Sequence, residues 1–334
     1  MFAFVLQAAA QLGILKGKTI AVDSTTLEAN AAMKSLVRRE TGEDWKTYIR
    51  GLMKEEGIED PSDEDVRRFD SKRKKKTSNK EWMSSTDPDS RVTKMKDKRT
   101  HLAYKAEHAV DVDSGLIVAA VVYRADESDA QTVTTTVEMA RTQVEAAGSP
   151  RTVEEVVGDK GYHKADTIQE LEEVQRVRTY IAEPKQKYRR RWKGKKAGLQ
   201  EAVYANRRRI RGARGRRLGR MRSEKAERSF AHTCETGGGR RAWLRGRVNV
   251  AKAHLMRAAA CDLGIIMRAL FGIGTPRTLQ GAFAMLLSAL LNLVWRRNSR
   301  RSDRWTFNRV CRLWTPLTPS RPGARAGLAF STGC

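Results

Sequence analysis

Apolar positions in the first 122 residues predict one helix followed by three strands. The segment Phe2 to Leu15 carries apolar residues at helical spacing and predicts a helix, which leads into an apolar strand that ends at Asp23. Partial alternation from His101 to Val110 predicts a second strand, and a continuous apolar run from Leu116 to Val122 predicts a third. The segment Asp111-Val112-Asp113-Ser114-Gly115 between them is typical of a hairpin turn, so these three strands predict the antiparallel start of a sheet.

Helices and short strands alternate after this hairpin. The apolar spacing predicts a helix over Ala130 to Ala147 and a strand over Val153 to Val157. A second helix over Ala165 to Val174 and a strand over Thr179 to Ala182 follow. From the Asp23 strand to the second of these helices the predicted order is βββαβα, and the strand over Thr179 to Ala182 comes after it.

Three carboxylates stand at informative places in this pattern. Asp159 lies in a strand-to-helix turn, Gly158-Asp159-Lys160-Gly161-Tyr162-His163, whose glycines leave room for a metal ion or a phosphate. Asp23 ends its predicted strand before two hydroxyl residues, and Glu227 lies in a segment with helical spacing. Two strand-end aspartates and one helix glutamate form the pattern of a two-metal phosphoryl-transfer site. An ordinary turn with a solvated aspartate is the alternative for Asp159 taken alone.

The segments around these carboxylates resemble bacterial insertion-sequence transposases of the DDE class. The resemblance covers roughly residues 15–275 and implies an α/β, RNase H-like mixed sheet in βββαβα order, flanked by helices, with a charged insertion and a helical C-terminal part. The segments that carry it are Val22-Asp23-Ser24-Thr25, Gly158-Asp159-Lys160-Gly161-Tyr162, Glu227-Arg228-Ser229-Phe230-Ala231-His232, Gly237-Gly238-Gly239-Arg240-Arg241 and Leu244-Arg245-Gly246-Arg247.

This resemblance implies a metal-dependent enzyme that cleaves DNA and transfers strands at insertion-sequence ends. Asp23, Asp159 and Glu227 would be the catalytic triad and the ligands of Mg²⁺ or Mn²⁺, with Glu224 as the first replacement for Glu227. The implied partners are double-stranded DNA and a second copy of the chain in the synaptic complex. The family has a longer helical region before the first strand, so we expect a truncated chain. A catalytically inactive, DNA-binding remnant is therefore the alternative, and a general RNase H-like nuclease is a weaker third hypothesis.

We rank the other acidic residues below these three as metal ligands. Asp87 and Asp89 lie in a turn cluster that also resembles a segment of these transposases, and we interpret them as structural or substrate-positioning. The hairpin accounts for Asp111 and Asp113, and Asp262 is not assigned to the site. Tyr162 and His163 are expected to orient the loop of Asp159 or to contact phosphate.

The charge of the chain favours a polyanionic partner. The 334 residues include 65 Lys and Arg against 39 Asp and Glu, for a net charge of +26. The most basic segment, Lys185 to Arg220, has interleaved aromatic residues that can stack on nucleic acid, although a solvated charged arm is the alternative. The DNA-binding candidates are Arg189, Arg190, Arg191, Lys193, Arg228, Arg240, Arg241 and Arg245.

The remaining patterns concern organisation and compartment. The four scattered cysteines form no zinc pair or disulfide framework, and the five histidines lack zinc spacing. This cysteine usage is typical of a reducing cytoplasm. The resemblance to transposases implies a protein associated with the bacterial nucleoid. A signal peptide is not indicated, and the apolar run from Gly281 to Trp295 is short for a membrane span, so no membrane partner is expected. The predicted divisions are 1–24 (helix and first core strand), 25–98 (charged helical insertion), 99–184 (catalytic core), 185–220 (basic arm), 221–275 (Glu227 helix and bracing helix) and 276–334 (helix and poorly ordered tail).

Overall fold

The structure, a computed structural model, describes residues 1–73, 78–95, 97–185, 190–272, 285 and 288. The chain divides into two units, Met1–Pro276 and Arg277–Cys334, and the helices and strands named below all belong to the first. In the second unit the Ser288 hydroxyl donates to the Met285 carbonyl at 2.9 Å. Apart from these two residues, the predicted helix Leu279 to Trp295 and the predicted tail lie outside the described residues.

Strands and helices alternate along the first unit in the predicted order. The strands are β1 (Thr19–Glu28), β2 (Leu36–Arg38), β3 (Trp82–Ser84), β4 (Arg91–Lys94), β5 (Thr100–Asp111), β6 (Ile117–Arg124), β7 (Glu155–Gly158) and β8 (Arg178–Ile181). The helices are α1 (Phe2–Gln11), α2 (Trp45–Glu55), α3 (Asp63–Lys72), α4 (Asp129–Ala146), α5 (Ala165–Glu173), α6 (Leu199–Arg211), α7 (Ala213–Phe230) and α8 (Arg247–Phe271), with short 3₁₀ turns at Met33–Ser35 and Lys160–Tyr162 and a π-helical turn at Ala231–Thr236.

Six of these strands form a mixed sheet. Hydrogen-bonded neighbours follow the order β4-β5-β1-β7-β8, and β6 also pairs with β5. The pairs of β5 with β1, β4 and β6 are antiparallel, whereas β7 is parallel to both β1 and β8. The elements β1, β5, β6, α4, β7 and α5 follow the βββαβα order of the RNase H-like fold, with β8 after them, which confirms the predicted fold class.

Helices cover both faces of the sheet. Side chains alternate between the two faces along each strand, so one strand contributes apolar residues to both layers. On one face, Ala21 of β1 packs against Leu218 and Ala226 of α7. On the other face, Ile20 and Val22 join the main apolar core. The apolar stripe of α4 enters this core through four fully buried residues, Val133, Val137, Ala140 and Val144. Burial of each of these valines contributes about 1.5–3 kcal/mol to folding.

The segment between β1 and β5 contains a small unit with its own core. Its helices α2 and α3 bury Ile49, Met53 and Val66 against each other, and β2 pairs antiparallel with β3. Ser62 caps α3, because Ser62 and Asp65 form a reciprocal capping box. The last strand of this segment, β4, joins the main sheet.

Two boundaries differ by more than two residues from those that the sequence predicts. The first helix ends at Gln11 instead of Leu15, and β1 continues five residues beyond Asp23 to Glu28. The extension exists because β5 pairs with β1 as far as Glu28. Asp23 therefore lies in the middle of a strand, and the prediction that it ends the strand was wrong. No helix within the described ranges is long and apolar enough to cross a membrane.

Candidate active site

The register of β1 and β7 brings Asp23 and Asp159 to the same level of the sheet. Ala21 pairs with Val157, and both aspartates lie two residues further along parallel strands. Asp23 remains in β1, whereas Asp159 is the first residue after β7 and begins the Lys160–Tyr162 turn. The carboxyl end of β7 therefore places Asp159 beside the middle of β1.

A gap in the edge of β1 opens at this level. Pairing with β7 stops at Ala21, and pairing with a second partner begins at Glu28, whose N–H donates to the Arg240 carbonyl at 2.9 Å. The Ala242 N–H in turn donates to the Glu28 carbonyl at 2.7 Å. The stretch of β1 that contains Asp23 thus lies between the Asp159 turn and the loop of Arg240.

Helix α7 brings Glu227 and an arginine to the same face of the sheet. The Arg222 guanidinium lies 3.6 Å from the Asp23 carboxylate. Burial is the largest influence on the pKa of Asp23 and raises it, and the charges of Asp159 and Glu227 raise it further, against the lowering effect of Arg222 and the Ser24 N–H. The carboxylates of Asp159 and Glu227 are thus close enough to Asp23 to influence its ionisation.

Contacts with β5 fix the position of α7 beside Asp23. His108 is the cross-strand neighbour of Asp23, and its ring stacks on Phe230 with centroids 4.1 Å apart. Its Nδ1 lies 2.8 Å from the Ser229 hydroxyl, and its Nε2 lies 2.7 Å from Nε2 of His254 on α8. Burial lowers the pKa of His108 and lowers that of His254 to about 4, so both rings are neutral at pH 7. A neutral pair of this kind braces the helix that carries Glu227.

The turn that carries Asp159 is tightly packed around a glycine. The Gly161 N–H donates to Oδ1 of Asp159 at 2.7 Å. A Cβ atom built on Gly161 would lie 2.7 Å from Oδ2 of Asp129 and 3.0 Å from Oδ1 of Asp159. Glycine is therefore required where two carboxylates approach the same backbone position.

Asp129 also belongs to a polar cluster on the α4 face of the sheet. Its Oδ1 accepts a hydrogen bond from the Ser24 hydroxyl at 2.8 Å and lies 3.4 Å from Nζ of Lys105. The Lys105 ammonium donates to the Thr132 hydroxyl at 2.7 Å and lies 3.6 Å from Glu107. Burial raises the pKa of Glu107 to about 7, although the Thr132 hydroxyl and Lys105 both act to lower it.

The three proposed ligands fit a divalent cation by the chemistry of their donors. Carboxylates are the protein ligands that Mg²⁺ prefers, and Mg²⁺ keeps several positions for water and substrate phosphates. Burial is the largest cause of the raised pKa of Asp23, and the charges of Asp159 and Glu227 add a smaller increase that a cation would offset. In the part of the chain that the structure describes, no three His, Cys, Asp or Glu side chains are grouped as a metal site. The three carboxylates therefore match a divalent cation by their charge and by the type of their donor atoms.

The predicted DNA-binding residues fall into two groups. Arg240 donates to the Thr25 hydroxyl at 3.3 Å and pairs with Glu235, which places its guanidinium beside the Asp23 strand. Arg241 lies 3.9 Å from Glu28, and Arg245 donates to the Asn30 carbonyl. Arg228 is exposed and lies 4.0 Å from Glu224. The other predicted contacts are in the basic arm: Arg190, which lies over the Trp192 ring at 5.2 Å, the exposed Arg191 and Lys193, and Arg189, which is outside the described residues.

The lower-ranked carboxylates have structural contacts. The buried Asp87 accepts from the Tyr104 hydroxyl at 2.6 Å and from the Gly246 N–H at 3.1 Å, and Asp89 accepts from the Arg247 N–H at 2.9 Å. Together they hold the start of α8. Asp111 accepts from the Ser114 hydroxyl within the hairpin, and Asp262 accepts from the Ile117 N–H at 2.8 Å.

Two residues at the site were not assigned a role from the sequence. Arg222 lies on α7, and its partner Asp23 lies far earlier in the sequence, on β1. The contact of Asp129 with Ser24 spans 105 positions. Neither contact can be found without the strand order.

Comparison with family models identifies one that covers most of the first unit. The model described as "Transposase DDE domain" matches residues 15–261. The matched range includes β1, the Asp159 turn, all of α7 and most of α8. Comparisons with curated proteins and with solved structures gave no match.

Proposed function

The chain belongs to the DDE transposase family, and we propose that it cleaves DNA and transfers strands with Asp23, Asp159 and Glu227 as its carboxylate triad. One observation carries the assignment. Asp23 and Asp159 stand two residues beyond the same cross-strand pair, and Glu227 contributes to the raised pKa of Asp23 from the facing helix. Two carboxylates from separate elements thus influence the ionisation of Asp23 in the middle of β1.

The triad would hold Mg²⁺ or Mn²⁺. When bound, the metal would activate the attacking water or 3′-hydroxyl and stabilise the leaving 3′-oxygen in an in-line displacement. Asp23 supplies a carboxylate on a rigid strand, Asp159 supplies one from a turn constrained by the Gly161 N–H, and Glu227 supplies one from a braced helix. Rigid elements suit this task because phosphoryl transfer depends on accurate positioning.

Arginines beside the triad would bind the DNA backbone. The Arg222 guanidinium faces Asp23, and Arg240 reaches Thr25, two residues along the same strand. A planar guanidinium matches phosphate oxygens with two parallel hydrogen bonds. We therefore assign these two arginines to the phosphates nearest the cleaved bond. Double-stranded DNA as substrate and a homodimer in the synaptic complex belong to the same proposal.

Cleavage of labelled duplexes tests this proposal. The duplexes are taken from the DNA that flanks the coding sequence on each side and are incubated with Mg²⁺, with Mn²⁺ or without metal. We expect Asp159→Asn to abolish metal-dependent nicking and to leave binding in a gel shift nearly intact, because duplex binding depends mostly on Lys and Arg contacts to phosphates. The matched control is Asp166→Asn, which removes the same charge from an exposed position of α5 seven residues away.

The outcomes separate the three hypotheses. Nicking by Asp159→Asn at the parent rate would show that Asp159 is not a catalytic ligand. A parent chain that binds the duplexes but never nicks them would identify an inactive DNA-binding remnant. Joining of the cut strand to a supercoiled target distinguishes a transposase from a general nuclease, which only cuts.

A further inference from the structure

Asp129 contacts the strand that carries Asp23. It is the first residue of α4, and its Oδ1 accepts a hydrogen bond from the Ser24 hydroxyl at 2.8 Å. The Ser24 N–H in turn donates to Oδ1 of Asp23 at 3.0 Å. One residue of β1 therefore links the Asp129 carboxylate on one face of the sheet to the Asp23 carboxylate on the other.

Asp129 also contacts the turn that carries Asp159. Its Oδ2 lies against Gly161, where an added Cβ would be only 2.7 Å away, and Oδ1 of Asp159 would lie 3.0 Å from the same Cβ. Gly161 binds Asp159 through its N–H. A single glycine thus separates the two carboxylates, and any shift of Asp129 is transmitted to the Asp159 turn.

A buried cation holds Asp129 in this position. Lys105 is only 6% exposed, and its ammonium lies 3.4 Å from Asp129 while it donates to Thr132 in the first turns of α4. Tyr162 is also buried, and burial first and then the charges of Glu107 and Asp129 raise the pKa of its hydroxyl. The start of an α-helix favours an acidic residue by itself, but that effect requires no contact with Ser24 or Gly161.

We propose that Asp129 is a positioning residue that sets the distance between Asp23 and Asp159. It is anchored by Lys105 and acts through Ser24 on one aspartate and through Gly161 on the other. The inference rests on the proposed function of these two aspartates. Displacement of a reacting group by 1 Å can cost about a hundredfold in rate, so such a residue affects catalysis without touching the substrate.

The first test compares Asp129→Ala with a matched control. Asp126→Ala removes an acid from the loop just before α4, where it pairs with Arg124 at 3.1 Å and with Arg91 at 3.7 Å. We expect Asp129→Ala to lower kcat for duplex nicking by about 30- to 100-fold with KM for DNA changed less than twofold. Asp126→Ala should change both constants less than twofold. Asp129→Asn retains an oxygen that accepts from Ser24 but loses the pair with Lys105, and we expect an intermediate loss.

The second test needs no cleavage. A ligand that binds only the folded state raises Tm, so the Mn²⁺-induced rise in Tm reports how well the carboxylates are placed. We expect this rise to be reduced by at least half in Asp129→Ala and unchanged in Asp126→Ala. If Asp129 has only a structural role, Tm without metal falls but the Mn²⁺-induced rise is unchanged, and the inference is overturned.

A double-mutant cycle tests the contact at Gly161. We expect Gly161→Ala to reduce the Mn²⁺-induced rise strongly in the parent chain, because its Cβ meets the Asp129 carboxylate, and only slightly in the Asp129→Ala background. Equal reductions in both backgrounds would overturn the contact. Asp159→Asn distinguishes the two proposals: if it still nicks, the proposed function fails, whereas a dead Asp159→Asn beside a fully active Asp129→Ala overturns only the positioning role.

Discussion

Asp23 and Asp159 lie side by side because each stands two residues beyond the paired residues Ala21 and Val157 of parallel strands. Helix α7 lies on the same face of the sheet, and its Arg222 lies 3.6 Å from Asp23. Negative charge at the site is thus balanced by an arginine that a bound cation would have to compete with. This relationship determines how the site should respond to metal and to substitution.

The first prediction concerns Arg222. Arg222→Gln should lower the Mn²⁺ concentration at which Tm begins to rise by about fivefold, since one unit charge at about 4 Å is worth about 1 kcal/mol in water. The control is Lys225→Gln, which removes the same charge from the side of α7 that faces Gly115. If Tm of Arg222→Gln begins to rise at the same or a higher Mn²⁺ concentration than in the parent, Arg222 does not compete with metal at Asp23.

The second prediction separates two glutamates of α7. Glu227 contributes to the raised pKa of Asp23, whereas Glu224 lies near Lys225 and Arg228 at 3.9 and 4.0 Å. We expect Glu227→Gln to lower the nicking rate by at least a hundredfold and Glu224→Gln to lower it less than threefold. Single-turnover cleavage with Mg²⁺ measures both. The reverse result would make Glu224 the third carboxylate of the site.

The basic arm illustrates what the sequence could and could not predict. Its high charge is visible in the sequence, but three of its arginines pair with distant glutamates: Arg207 with Glu183, Arg209 with Glu172 and Arg214 with Glu155. These pairs depend on how α6 and α7 pack on β7 and β8, which periodicity does not reveal. Part of the predicted DNA-binding charge is therefore structural.

The third prediction follows from this division. Arg191, Lys193 and Arg208 are exposed and have no acidic partner among the residues described. Replacing these three with Gln should weaken DNA binding and reduce the slope of log K against log salt by about 2–3, since each phosphate contact contributes about 0.9. Replacing Arg207, Arg209 and Arg214 with Gln should lower Tm and leave the slope nearly unchanged. Equal slopes for both triple variants would mean that the exposed arm does not bind phosphates.

The site itself was predictable in its residue types more than in its geometry. Strand periodicity and the hairpin at Asp111 to Gly115 were sufficient to predict the order of the core elements, because these signals are local. The extension of β1 beyond Asp23 was missed because Leu27 is the only apolar residue from Ser24 to Glu28, so the apolar run ends before Asp23. Thr25 and Leu27 are nevertheless buried. Asp129 was missed because its partners come from β1 and the Asp159 turn, which only the tertiary fold brings together.

The last prediction concerns Glu107, which is fully buried beside Lys105 and Thr132. Burial raises the pKa of its carboxyl from 4.5 to about 7, against the lowering effects of Thr132 and Lys105. Between these two pH values the folded chain retains a proton that the unfolded chain has lost. The stabilising contribution of Glu107 to the free energy of unfolding is therefore fully present below pH 4.5. It is lost, and the free energy of unfolding falls, as the pH rises to about 7.

Glu107→Gln should remove this dependence, because its amide has no charge and its oxygen can still accept from the Thr132 hydroxyl. At pH 8 we expect the variant to be more stable than the parent by about 1–3 kcal/mol, with the difference shrinking as the pH falls towards 4.5. Urea unfolding of both proteins at several pH values measures it. The comparison with the parent cancels the titration of His108 and His254, which both proteins share. Glu170→Gln, at an exposed position of α5, should run parallel to the parent, and a Glu107→Gln curve that also runs parallel would show that Glu107 is ionised throughout.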